Sequence, residues 1–145
     1  NCVAHATAED GDSQGFVYCE RLNSCNANIT GNASVYGYRQ CKQVLTSTIK
    51  SEEVNHTVFG FYDCKKLIGC IAVAKGTENG YAFSKCQEVV SCEGSGQYGF
   101  YESSGVVNCM ATSTTIAKAY NTCANIGAYN ETYAYANTAN GGFNF

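Results

Sequence analysis

Asn32-Ala-Ser-Val-Tyr-Gly-Tyr-Arg-Gln-Cys41-Lys-Gln-Val-Leu45 and Asn55-His-Thr-Val-Phe-Gly-Phe-Tyr-Asp-Cys64-Lys-Lys-Leu-Ile68 are two versions of one pattern, 23 residues apart. Ahead of the cysteine the aromatics alternate, at Tyr36/Tyr38, Phe59/Phe61 and again at Tyr81/Phe83. That period of two is the signature of a half-buried strand. After the cysteine, two polar residues precede two apolar ones, as they also do in Cys86-Gln-Glu-Val-Val90. This spacing puts the cysteine and its third and fourth successors on one face of a helix. A short strand running into a short helix is therefore expected in each copy.

Working outward, Cys19, Cys41, Cys64, Cys86 and Cys109 are separated by 22, 23, 22 and 23 residues. Gly15, Gly37, Gly60, Ala82 and Gly105 stand four residues before them, and Phe16, Tyr38, Phe61, Phe83 and Val106 three before. Leu22, Val44, Leu67, Val89 and Thr112 stand three after. The sixth position after is Cys25, Ser47, Cys70, Cys92 and Thr115. Such a period marks a repeat architecture.

The expected fold is α+β: a small disulfide-stapled domain of about five strand-helix repeats over residues 1–127. A C-terminal Tyr/Asn/Gly-rich tail follows over 128–145. Lys75-Gly76 reads as a helix stop, Ser84 with Gln87 as a capping box, and Ser113 to Cys123 as a further helix. The β-branched content near Val44, Thr46, Thr48 and Ile49 keeps a mainly β repeat or sandwich open as the alternative.

Ten cysteines in 145 residues point to a disulfide framework and an oxidising compartment, so an extracellular location is expected, secreted or on the cell surface. The chain opens on Asn1-Cys2 without an apolar leader, which reads as a mature, processed polypeptide. Zinc is disfavoured, because close cysteine pairs have five intervening residues and only His5 and His56 are available. Cysteines six apart within one element lie too far apart to bond, so the bonds should join different elements. Sequence separation suggests Cys2–Cys19, Cys25–Cys41, Cys70–Cys86 and Cys92–Cys109, with Cys64–Cys123 closing the set.

Asn28, Asn32, Asn55 and Asn130 each open an N-glycosylation sequon, and Asn32 and Asn55 occupy the same repeat column. N-linked glycans are expected. A net charge of −3 and a pI near 5.3 offer no basic face for nucleic acid, and no run of about 20 apolar residues exists to span a bilayer. Neither histidine has the setting of a general base. The acidic clusters Glu9/Asp10/Asp12 and Glu52/Glu53 sit in polar, turn-like stretches. Neither catalysis nor a cofactor is expected.

The leading expectation is an extracellular structural glycoprotein, a homo-oligomeric subunit of a coat or filament. It would assemble through its repeat faces and a tail strand bearing Tyr129, Tyr133, Tyr135, Phe143 and Phe145. A secreted recognition protein, lectin-like or a diffusible ligand, is the alternative. The aromatic-Gly-aromatic run before the cysteine resembles cysteine-rich secreted repeat domains, and the overall texture is similar to surface and filament glycoproteins of protists. That resemblance implies an extracellular structural role and carries over no site residue.

Overall fold

The computed structural model describes residues 1–8, 11–121, 123 and 131–133. The chain winds into a parallel β-solenoid of about four turns, and no helix occurs among the described residues. The first coil consists of β1 (Val3–Ala8), β2 (Ser13–Val17) and β3 (Glu20–Asn23). The second has β4 (Asn26–Gly31), β5 (Val35–Arg39) and β6 (Lys42–Leu45), and the third β7 (Thr48–Val54), β8 (Val58–Tyr62) and β9 (Lys65–Ile68). The fourth has β10 (Ile71–Ala74), β11 (Gly80–Ser84) and β12 (Gln87–Val90). Then β13 (Glu93–Tyr101) runs through two faces without a break, followed by β14 (Ser104–Val107), the long β15 (Met110–Asn121) and β16 (Glu131–Tyr133).

Like strands stack in register along the axis. One face runs β1-β4-β7-β10-β13, the second β2-β5-β8-β11-β13, and the third β3-β6-β9-β12-β14. β15 adds to β13, and β16 to β15.

The expected α+β architecture is thus replaced by an all-β one, and the cause is backbone handedness. In a regular strand Cys41 and Val44 would point to opposite faces. Gln43 between them has φ 53°, in the left-handed region, and so do Arg21, Lys66 and Glu88 at the matching places. One such residue resets the alternation, so Cys41 and Val44 both point inward and are wholly buried. Inward positions three residues apart imitate a helical face while the chain stays extended.

Further left-handed residues recur just before each corner position, at Gln40, Asp63, Lys85 and Glu102, and at Thr46, Gly69, Ser91 and Asn108. Gly69 is the only glycine in that last group, and Thr46 fills its place one coil below. A Cβ added at Gly69 would meet only Thr46 Cγ2, at 3.6 Å. Gly69→Ala should therefore cost no more than the left-handed penalty of about 1 kcal/mol, read from a urea midpoint.

Four other expectations are corrected with it. Ser84 and Gln87, read as a capping box, instead end β11 and open β12, while Gly76 forms a parallel bridge with Val54. The helix expected from Ser113 to Cys123 is strand through Asn121, since Met110–Asn121 continues the ladder on β13. The fifth copy was also set in the wrong column. Its coil is shortened: Ser103 lies 17 residues after Cys86, and its Oγ accepts a bond from the Cys86 N–H at 3.2 Å. Phe100 therefore takes the aromatic place, and Cys109 falls in line with Cys92.

The core is built as columns. Phe16, Tyr38, Phe61, Phe83, Phe100 and Tyr120 stack face to face inside, with centroids 4.5–5.0 Å apart. The buried hydroxyls are satisfied: Tyr38 donates to the Cys25 carbonyl at 2.6 Å and Tyr120 to that of Cys109 at 2.8 Å. Beside this stack runs the aliphatic row Val44, Leu67, Val89 and Val106, all fully buried. Gly37 makes room for the opposite face, because a Cβ there would collide with Ile49 Cγ1.

Candidate functional site

The cysteines fall into two interior columns flanking the aliphatic row. In the first, Lys42 N–H bonds the Cys19 carbonyl, Lys65 that of Cys41, Gln87 that of Cys64 and Ser104 that of Cys86, each at 2.9–3.0 Å. In the second, Asn26 bonds the Cys2 carbonyl, Thr48 that of Cys25, Ile71 that of Ser47, Glu93 that of Cys70 and Met110 that of Cys92. Cys123 rejoins the first column beyond Ser103. Its thiol donates to the Phe100 carbonyl at 3.4 Å, as Cys86 does to Phe61 and Cys64 to Tyr38. None of the ten cysteines is in a disulfide in this structure.

The environment of Cys19, Cys41, Cys64 and Cys123 keeps their thiols protonated, whereas hydrogen bonding with Cys92 lowers Cys70 and Cys109. Hydrogen bonding with Cys64, together with burial, pushes the Cys41 thiol far above its ordinary value. Burial first, then the neighbouring Cys86, does the same to Cys64. Burial also raises Cys19, and it raises Cys123 to about 11. Protonated, enclosed thiols are poor nucleophiles. Among the described residues, no group of three or more His, Cys, Asp or Glu side chains is placed to hold a metal ion.

Outside, a second aromatic column covers the middle of the second face. Tyr36, Phe59, Tyr81 and Tyr98 stack with centroids 4.7–5.1 Å apart and planes within 8°. Tyr62 and Tyr101 meet this column edge-on, Arg39 lies 5.0 Å over the Tyr36 ring, and Lys85 lies 5.7 Å from Tyr62. Both ring faces of Phe59 and Tyr81 are taken by neighbours, so this surface offers edges and hydroxyls rather than open faces on which a sugar ring could stack.

On the first face an open groove of about 450 Å³ is lined by His5, Thr7, Asn28, Ile29, Thr30 and Lys50. His5, Asn28 and Lys50 share one rung across β1, β4 and β7. The other histidine, His56, sits at a corner with Nδ1 3.0 Å from the Glu78 carboxylate, and both side chains are about half exposed.

Of the sequon residues, Asn28, Asn32 and Asn55 are exposed. The column shared by Asn32 and Asn55 is real: Asn55 Nδ2 donates to Asn32 Oδ1 at 2.6 Å across one rung. Asn130, Tyr129, Tyr135, Phe143 and Phe145 lie outside the described residues. The tail stretch Glu131–Tyr133 adds as a parallel strand to β15 of its own chain, with Tyr133 opposite Thr112. No helix of the described residues is long and apolar enough to cross a membrane.

Sequence reasoning missed the first coil as a surface. Among the described residues, β1, β2 and β3 each pair on one side only, with β4, β5 and β6. Only the repeat period could have pointed to it, since any stack of repeats has two ends.

The chain matches no family model, no curated protein and no solved structure.

Proposed function

We propose that this chain is an extracellular structural glycoprotein, a rod-shaped subunit that joins copies of itself coil to coil in a coat or filament. The observation that carries this reading is the edge of the first coil, where three strands in succession have a strand neighbour on one side only among the described residues. An unprotected parallel edge is a template for another strand of the same kind. A second copy of this chain carries parallel strands of the same coil, and a head-to-tail contact of this sort propagates. The cysteine count and the exposed sequons at Asn28, Asn32 and Asn55 support the extracellular setting.

Sedimentation velocity and negative-stain imaging over a concentration series test the assembly. Particles should lengthen without widening, and oriented samples should diffract at the inter-strand spacing of about 4.7–4.8 Å along the rod. A single monomeric species at every concentration would refute the reading. Production through a eukaryotic secretory pathway should add mass that an N-glycosidase removes.

A further inference from the structure

We propose that oxidation staples the solenoid along its axis, by disulfides between cysteines stacked in the same column: Cys2–Cys25, Cys19–Cys41 and Cys64–Cys86, with a fourth bond joining Cys92 to Cys70 or Cys109. Stacked residues in a parallel ladder sit about 4.7–4.9 Å apart, inside the Cα window of about 4.4–6.8 Å that a disulfide requires. The thiols face one another within each column, Cys19 toward Cys41, Cys41 toward Cys64 and Cys64 toward Cys86. In the second column the Cys70 N–H donates to Cys92 Sγ at 3.4 Å, and the Cys92 N–H to Cys109 Sγ at 3.4 Å.

Bonds between the columns meet a barrier. The third face separates them by a four-residue strand such as Lys42–Leu45, roughly 10 Å long at the rise of an extended chain, with Val44 or Leu67 packed between. Of the pairings suggested by sequence separation, Cys2–Cys19, Cys25–Cys41 and Cys70–Cys86 join the two columns and Cys64–Cys123 skips rungs, whereas Cys92–Cys109 lies within one column.

Two serines decide the pairing. Ser47 interrupts the second column, isolating Cys2 and Cys25 below it from Cys70, Cys92 and Cys109 above. Ser103 separates Cys86 from Cys123 in the first, leaving a run of four that pairs as two. Cys2 is exposed and Cys19 half-buried at the open coil, each beneath a buried partner, Cys25 and Cys41. These are the entry points for an oxidant.

The oxidant is a small disulfide such as oxidised glutathione. The Cys19 thiolate attacks one of its sulfurs, forming a mixed disulfide and releasing one glutathione thiolate. Cys41, giving up its proton, then attacks the Cys19 sulfur and releases the second. Two protein thiols lose two electrons, and one glutathione disulfide becomes two thiols. The buried pairs follow the same chemistry before the coils close, during folding.

The experiment is oxidative refolding of the full chain in a glutathione redox buffer, followed by alkylation, intact mass and non-reducing peptide mapping. The expected result is four disulfides, with Cys2 joined to Cys25, Cys19 to Cys41 and Cys64 to Cys86. Ser47→Cys makes the second column continuous, and the same procedure should then yield five, with the introduced thiol linked to Cys70 in that variant. A Cys25–Cys41 or Cys64–Cys123 peptide, or five disulfides in the unaltered chain, would overturn the proposal, as would failure of Cys19 and Cys41 to oxidise. The readout is covalent connectivity, so it stands whether or not the chain assembles into rods.

Discussion

Replacing Phe61 with alanine should destabilise the reduced protein by about 3–5 kcal/mol, measured as the fall in unfolding free energy from urea titration. Phe61 is wholly buried at the middle of the inner aromatic column, 4.5 Å from the Tyr38 ring and 5.0 Å from that of Phe83, nearly parallel to both. Its removal deletes two stacking contacts, each worth about 0.5–1.5 kcal/mol beyond area, and opens a cavity between coils whose backbones are fixed by ladder bonds. The neighbouring Phe59 is the control. It stacks just as closely on Tyr36 and Tyr81, but from the outside and only half-buried. Phe59→Ala should cost less than half as much, because solvent fills the gap. Equal losses for the two variants would mean that the inner column is not the spine of the rod.

Those two rings also show how far the sequence could be read. The alternation Tyr36/Tyr38 and Phe59/Phe61 reported strands correctly, one ring outside and one inside, because an extended backbone obeys a period of two. The 22–23-residue period reported a repeat, and Asn32 below Asn55 reported a shared column, because a regular stack preserves register. The segment after each cysteine was misread for a definite reason. Gln43, Lys66 and Glu88 are ordinary polar residues whose left-handed backbone is imposed by the coil, and side-chain chemistry does not announce it. The inward spacing of three that they create is close to the 3.6 of a helix.

The fifth copy failed differently. Cysteine spacing alone aligned Cys109 with Cys86, whereas the aromatic column aligns Phe100 with Phe83, and it is the rings that set the register. Following the phenylalanines rather than the cysteines would have found both the shortened coil and Ser103. The open first coil and the two thiol columns depend on which residues face inward at each corner, so they became legible only once the handedness of those corners was known.

The reduced protein should also lose stability steeply above about pH 8.5, the ordinary thiol value. Cys41 is held protonated in the folded chain by its hydrogen bond with Cys64 and by burial, and Cys64 by burial and then by Cys86, so their folded pKa values lie above the unfolded ones. Below the unfolded value both states carry the proton, and stability does not depend on pH through these groups. Above it the unfolded chain releases protons that the folded chain retains, and the folded state weakens until its own thiols ionise. Each such thiol contributes a slope of about 1.4 kcal/mol per pH unit, so the two together should remove close to 3 kcal/mol between about pH 9 and 10. Tyr38, raised by burial, adds to the loss above about pH 10. Urea titrations at successive pH values measure the slope, and a flat profile through pH 10 would show that the thiols are not enclosed as described. Oxidised protein gives the complementary result. Once Cys19–Cys41 and Cys64–Cys86 have formed, these four sulfurs carry no titratable proton, so their share of the alkaline loss should vanish while that of Tyr38 persists. A profile that did not change on oxidation would place the ionising groups elsewhere. The pH dependence thus tests both the enclosure of the thiols and their pairing along the column.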